Sequence, residues 1–234
     1  MRPLLLLTFT LILFTTTYSQ DMRPKILSMP EYIIPTEAEK AGITGSVSVI
    51  VSVKKDGTVD RVDFWSGPSW PCTGDLKGLV DDVRNGVMEN FKKARFSPAL
   101  RGGVAIDGST GLRMLVGAAY ALVKERSKQK ESASGNAFVD STDPLAGPVI
   151  NGKAISLPKP EYPGGFNGDK PRGTVEVEVL VGEDGSVLIA GATGGDPRLQ
   201  KSARKAACKA RFSPTLLSGQ PVKVSGRITY NFVP

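Results

Sequence analysis

The chain of 234 residues reads as an α+β protein: two tandem small domains, each a two- to three-stranded antiparallel sheet packed on one helix. Three observations predict this class. Residues 45–59, GSVSVIVSVKKDGTV, align without gaps on residues 173–187, GTVEVEVLVGEDGSV, so one unit occurs twice. Within each copy the valines (47, 49, 51, 53 and 175, 177, 179, 181) alternate with other residues, the period-two pattern of a strand with one buried face. Each copy is followed by apolar residues at three- and four-residue spacing, which is helical.

Taken in order, residues 1–20 form a signal peptide or amino-terminal anchor: Arg2 precedes an uncharged apolar run over residues 3–14, and small residues follow. Export to the periplasm is the expectation, with an inner-membrane tether if the segment is retained. The first domain spans residues 21–124. Asp56-Gly57 is its hairpin corner, because both residues tolerate turn backbone and β-branched residues follow. Residues 65–78 have no counterpart in the second copy and read as an inserted loop. Leu76, Leu79, Val80, Val83, Val87, Phe91 and Ala94 make the helix stripe, and Phe96-Ser97-Pro98 ends it, since proline drives its predecessor out of the α region. The last strand of this unit is expected over residues 112–123.

Residues 125–150 are polar and read as a flexible linker. The second domain spans residues 151–234, with a corner at Asp184-Gly185 and a helix opened by Asp196-Pro197 and carrying Leu199, Ala203, Ala206, Ala207 and Ala210. After Phe212-Ser213-Pro214 comes a closing strand, with Val222, Val224, Ile228, Tyr230 and Phe232 on one face and Lys223, Ser225, Arg227, Thr229 and Asn231 on the other.

Chemistry is bounded by what the chain lacks. It contains no histidine, which removes the usual general base near neutral pH and most zinc sites, and no nucleotide or nucleophile motif replaces it. A non-enzyme without metal or cofactor is expected. The net charge of +7 favours an anionic partner only where it clusters. Export and the lack of a base-stacking platform argue against nucleic acid. The two cysteines, Cys72 and Cys208, leave two readings open: one bridge in an oxidising compartment, or two unpaired small side chains.

The order Pro160-Glu161-Tyr162-Pro163, alternating valines, Asp184-Gly185, Ala210-Arg211-Phe212-Ser213-Pro214, Gly219-Gln220-Pro221-Val222 and a strand ending at Phe232 resembles the TonB carboxy-terminal domain. The first unit resembles it more weakly, with Ile33 after its tyrosine and the inserted loop. The resemblance implies a periplasmic module of Gram-negative bacteria that recognises an extended peptide of an outer-membrane receptor, linked to TonB-dependent transport. Strand addition is the physical mode: backbone bonds supply affinity and alternate side chains supply selectivity. Energised TonB proteins resemble a three-part design with a histidine-bearing membrane helix and a long proline-rich spacer. This chain has neither, so partner binding without motor coupling is expected.

The candidate peptide-binding edge is therefore Val222, Lys223, Val224, Ser225, Arg227, Thr229 and Asn231, expected to be an open rim. Lys201, Arg204, Lys205, Lys209 and Arg211 form a basic helix face, either a solvated surface or a dock for an envelope polyanion. Trp65 and Trp70, placed in the inserted loop, either anchor a partner or tuck onto the first sheet. The alternative function is a non-energised envelope adaptor that self-associates or binds a polyanion.

Overall fold

Alternating valines make the two central strands, β2 (Gly45–Val53) and β10 (Gly173–Val181), and all eight of the valines named above are buried. The computed structural model describes residues 21–120, 148–165 and 170–233. The leader expected at residues 1–20 and most of the expected linker lie outside the described residues.

Around β2 the chain adds β1 (Ile26–Ser28), α1 (Thr36–Lys40), β3 (Val59–Ser66), β4 (Trp70–Pro71), α2 (Lys77–Lys92), β5 (Arg95–Phe96), β6 (Ala99–Arg101), β7 (Val104–Ile106) and β8 (Gly108–Val116). Around β10 it adds β9 (Ala154–Ser156), β11 (Val187–Ala192), α3 (Pro197–Ala207), β12 (Arg211–Phe212), β13 (Thr215–Leu217), β14 (Gln220–Val222) and β15 (Val224–Phe232). The result is an α+β arrangement of several small antiparallel sheets with few helices.

Two hydrophobic cores form. In one, Val80, Val83, Val87 and Phe91 of α2 cover the valines of β2; in the other, Leu199, Ala203 and Ala207 of α3 cover those of β10. Small residues on α3 suit the second core, which Ile228, Tyr230 and Phe232 fill from the opposite strand. After each helix the Phe-Ser-Pro step turns extended as expected. Phe96 and Phe212 are buried, and their N–H groups donate to the carbonyls of Gly57 and Gly185 at 3.0 and 2.9 Å. Those two glycines are required by geometry. Gly185 has φ +79°, and a Cβ there would sit 1.9 Å from the Phe212 carbonyl oxygen.

The strand expectations need three corrections. The sheet around β10 has four strands, ordered β15-β10-β11-β4, and its fourth strand comes from the segment expected to be an inserted loop. The last strand of the first half, β8, begins at Gly108 and ends at Val116, because Gly117 turns away at φ +60° against the Ile43 carbonyl. Val222 does not belong to the closing strand: it sits in β14, paired with β13 across a tight turn at Ser218 and Gly219, both at positive φ. β6 and β7 make the matching hairpin in the first half, around Gly102 and Gly103.

Candidate functional site

The closing strand β15 pairs antiparallel with β10 over nine consecutive residue pairs, from Gly173 with Phe232 to Val181 with Val224. Such a long register anchors the strand firmly. Gly226, Ile228, Tyr230 and Phe232 are buried, while Ser225, Arg227, Thr229 and Asn231 alternate with them. Arg227 reaches back over the sheet to Glu176, with Nη1 donating to Oε2 at 3.0 Å. Tyr230 is buried without a partner for its hydroxyl among the described residues, and burial pushes its pKa up.

The rim is not open at its centre. Residues 148–151 lie along it in parallel: the Arg227 N–H donates to the Pro148 carbonyl and the Ile150 N–H to the Arg227 carbonyl, both at 2.9 Å. Asn151 then satisfies both backbone groups of Thr229 with its side-chain amide. Ile150 enters the core over Gly226, where a Cβ would lie 2.7 Å from its Cδ1. Of the outward-facing positions, Arg227 and Thr229 are engaged, whereas the described residues show no strand partner beside Ser225 and Asn231. The expectation of a free edge is corrected accordingly. A glycine in the middle of an otherwise β-branched and aromatic strand is the one sequence signal of this close approach.

The opposite edge of the same sheet is closed as well. β4 pairs with β11, Trp70 against Ala190 and Pro71 against Ile189. Flanking bonds extend the seam: the Gly67 N–H donates to the Ala192 carbonyl and the Cys72 N–H to the Leu188 carbonyl, each at 2.9 Å. The Cys72–Cys208 disulfide, with Cα atoms 5.4 Å apart, ties the end of this seam to the end of α3. Of the two readings of the cysteines, the bridge is the one realised.

The remaining candidate residues separate. Lys201, Lys205, Lys209 and Arg211 are exposed; Lys205 pairs with Glu161 at 3.3 Å, and Lys209 and Arg211 lie past the end of the helix. Arg204 leaves this face, turning inward over the Trp70 ring with Cζ 3.7 Å from its centroid. Trp65 belongs to β3 rather than the inserted loop and is exposed; its carbonyl accepts from Gln200 Nε2 at 2.8 Å. Trp70 does not tuck onto the first sheet alone, because its backbone joins the second sheet and its ring lies between the halves.

The second half is thus a four-stranded antiparallel sheet covered on one face by a helix and finished by a long terminal strand, and among the described residues no group of acidic or cysteine side chains could hold a metal ion. Residues 158–234 match the model of the family described as Gram-negative bacterial TonB protein C-terminal, and this part of the chain is a TonB C-terminal domain. The match does not extend to the first half. No curated protein and no solved structure matches the chain. TonB C-terminal domains are non-enzymatic, act in the cell envelope and bind TonB-dependent outer-membrane receptors. No helix among the described residues is long and apolar enough to cross a membrane.

Proposed function

We propose that the chain is an exported TonB-like protein that binds an extended peptide of an outer-membrane receptor by strand addition along β15, with residues 148–151 holding that edge until the peptide displaces them. The division into a leader at 1–20, a degenerate TonB-like domain at 21–124, a linker and a receptor-binding domain at 151–234 belongs to this reading. The observation that carries it is the unequal pairing of β15, nine residues on its inner side and two outward positions on the other. The placeholder makes four hydrogen bonds to the edge. At about 1 kcal/mol net for each, an incoming strand that also pairs beside Ser225 and Asn231 competes favourably.

The test is fluorescence anisotropy of labelled amino-terminal peptides of outer-membrane receptors. Asn151→Ala loosens the placeholder and is expected to tighten binding several-fold. Arg227→Pro removes a ladder donor and is expected to abolish binding while circular dichroism stays native. Equal affinity in all three proteins removes β15 as the binding edge.

Closure of both edges of this sheet favours a second reading, a non-energised structural adaptor of the envelope. Sedimentation showing self-association, together with no binding of receptor peptides, selects it.

A further inference from the structure

Packing of the two halves leaves a cleft of about 620 Å3 between α2 and α3. Its lining includes Trp70, Leu76 and the Cys72–Cys208 bridge, an apolar surface. Around this surface stand Lys77, Arg84, Lys201, Arg204, Lys205 and Lys209, against only Asp75 and Asp81. The lining thus carries more cations than carboxylates, and they come from both halves and not from one helix alone.

Two guanidinium groups approach the same indole, Arg204 with Cζ 3.7 Å and Arg84 with Cζ 5.4 Å from the ring centroid. Arg84 donates to the Gly67 carbonyl at 2.9 Å and has Asp81 at 3.4 Å. Arg204 has no carboxylate partner among the described residues. Its Nε donates to the Ala190 carbonyl at 3.0 Å, and its Nη2 to the carbonyls of Trp70 and Pro71 at 3.0 and 2.8 Å. Arg204 Nη1 and Arg84 Nη2 have no acceptor among the described residues. Burial first, and then the charge of Arg84, lower the pKa of Arg204 to about 10. Arg84 has the Asp81 carboxylate beside it, whereas the half-buried charge of Arg204 has none among the described residues and is costly unless an anion joins it.

We propose that this cleft binds a small organic anion, a carboxylate or phosphate group engaged by Arg84 and Arg204 and carried on an apolar body that packs against Trp70, Leu76 and the disulfide. The arginine forks match both oxyanions, and the volume falls in the range of roughly 300–1,000 Å3 typical of small-ligand sites. Lys201 and Lys205 at the rim raise the local anion concentration. The site lies apart from β15, so it does not depend on the strand-addition reading. The same chemistry is offered by a free small molecule and by an acidic chain end of an envelope polymer.

Isothermal titration of the full chain, disulfide intact, tests this with phenyl phosphate, inorganic phosphate and pentaglutamate. Phenyl phosphate is expected to bind one per chain and at least tenfold more tightly than inorganic phosphate. Pentaglutamate, an acidic chain without an apolar body, is expected to bind more weakly than phenyl phosphate, and tighter binding of it overturns the apolar part of the proposal. Arg84→Gln is expected to weaken phenyl phosphate at least tenfold. Lys201→Glu with Lys205→Glu, a pair of exposed changes that leaves the packing intact, is expected to weaken it several-fold and to flatten its salt dependence. Absence of saturable heat with every probe at low salt, or equal affinity in the parent and both variants, overturns the proposal. Inorganic phosphate binding as tightly as phenyl phosphate overturns the apolar part of it.

Discussion

The side chain of Asn151 replaces a peptide unit beside Thr229: its Nδ2 donates to the Thr229 carbonyl at 2.7 Å and its Oδ1 accepts from the Thr229 N–H at 2.9 Å. Asn151→Ala removes both bonds and exposes the edge to water, which compensates in part. The expected loss is about 1–2 kcal/mol. Hydrogen exchange is the sharper measurement. Exchange at the Thr229 amide is expected to rise at least tenfold while Val177 in the core stays protected. An unchanged Thr229 rate is incompatible with this pairing.

Gly185 and Gly74 share a left-handed backbone, φ +79° and +83°, but differ in surroundings. A Cβ at Gly185 meets the Phe212 carbonyl oxygen at 1.9 Å, whereas nothing lies within 4 Å at Gly74. Gly74→Ala is expected to cost the conformational term alone, about 1–2 kcal/mol. Gly185→Ala adds a steric clash with backbone. At about 2–4 °C per kcal/mol for a chain of this size, Gly185→Ala is expected to lower Tm several degrees further than Gly74→Ala. Equal shifts in a calorimetric scan contradict the close approach.

The Cys72–Cys208 bridge spans 136 residues of sequence and joins the two halves. Replacing both cysteines by serine is expected to cost about 2–5 kcal/mol in urea unfolding. Intact mass before and after reduction under denaturing conditions should differ by two hydrogens. A chain equally stable with and without the bridge would show that the β4–β11 seam alone holds the halves together.

Asp196 caps α3. Its carboxylate accepts from the Arg198 guanidinium and, at 2.9 Å, from the Arg198 backbone N–H; these bonds, the side-chain one foremost, hold its pKa below the usual carboxylate range. The folded pKa lies below the unfolded one, so the stabilisation is complete above the unfolded pKa of about 3.9 and disappears as pH falls through the folded value. Asp196→Ala is expected to cost about 1 kcal/mol at neutral pH and to become indistinguishable from the parent in strong acid. Urea midpoints at the two pH values measure this, and a penalty independent of pH would rule out the charged cap.

Local pattern carried the strands and helices. The valine alternation in β2 and β10, the Asp-Gly corners and the Phe-Ser-Pro stops are each determined within a few residues, and the structure follows them closely. The β13–β14 hairpin escaped because Ser218 occupies a left-handed position where glycine or asparagine is the readable signal. The sequence spacing places Arg204 as one more cation on a helix face. Its inward turn depends on carbonyls at Trp70 and Pro71, far away in sequence.

Side-chain periodicity thus determined which face of each element is buried, because burial acts on side chains and their spacing is written along the chain. It left open what lies beside each edge. Backbone donors and acceptors are nearly the same at every residue, so nothing local marks residues 148–151 as the neighbours of Arg227 and Thr229, or Trp70 and Pro71 as those of Ala190 and Ile189. Only the tertiary packing of the two halves brought Cys72 to Cys208, closed both edges of the second sheet and placed two arginines around one tryptophan.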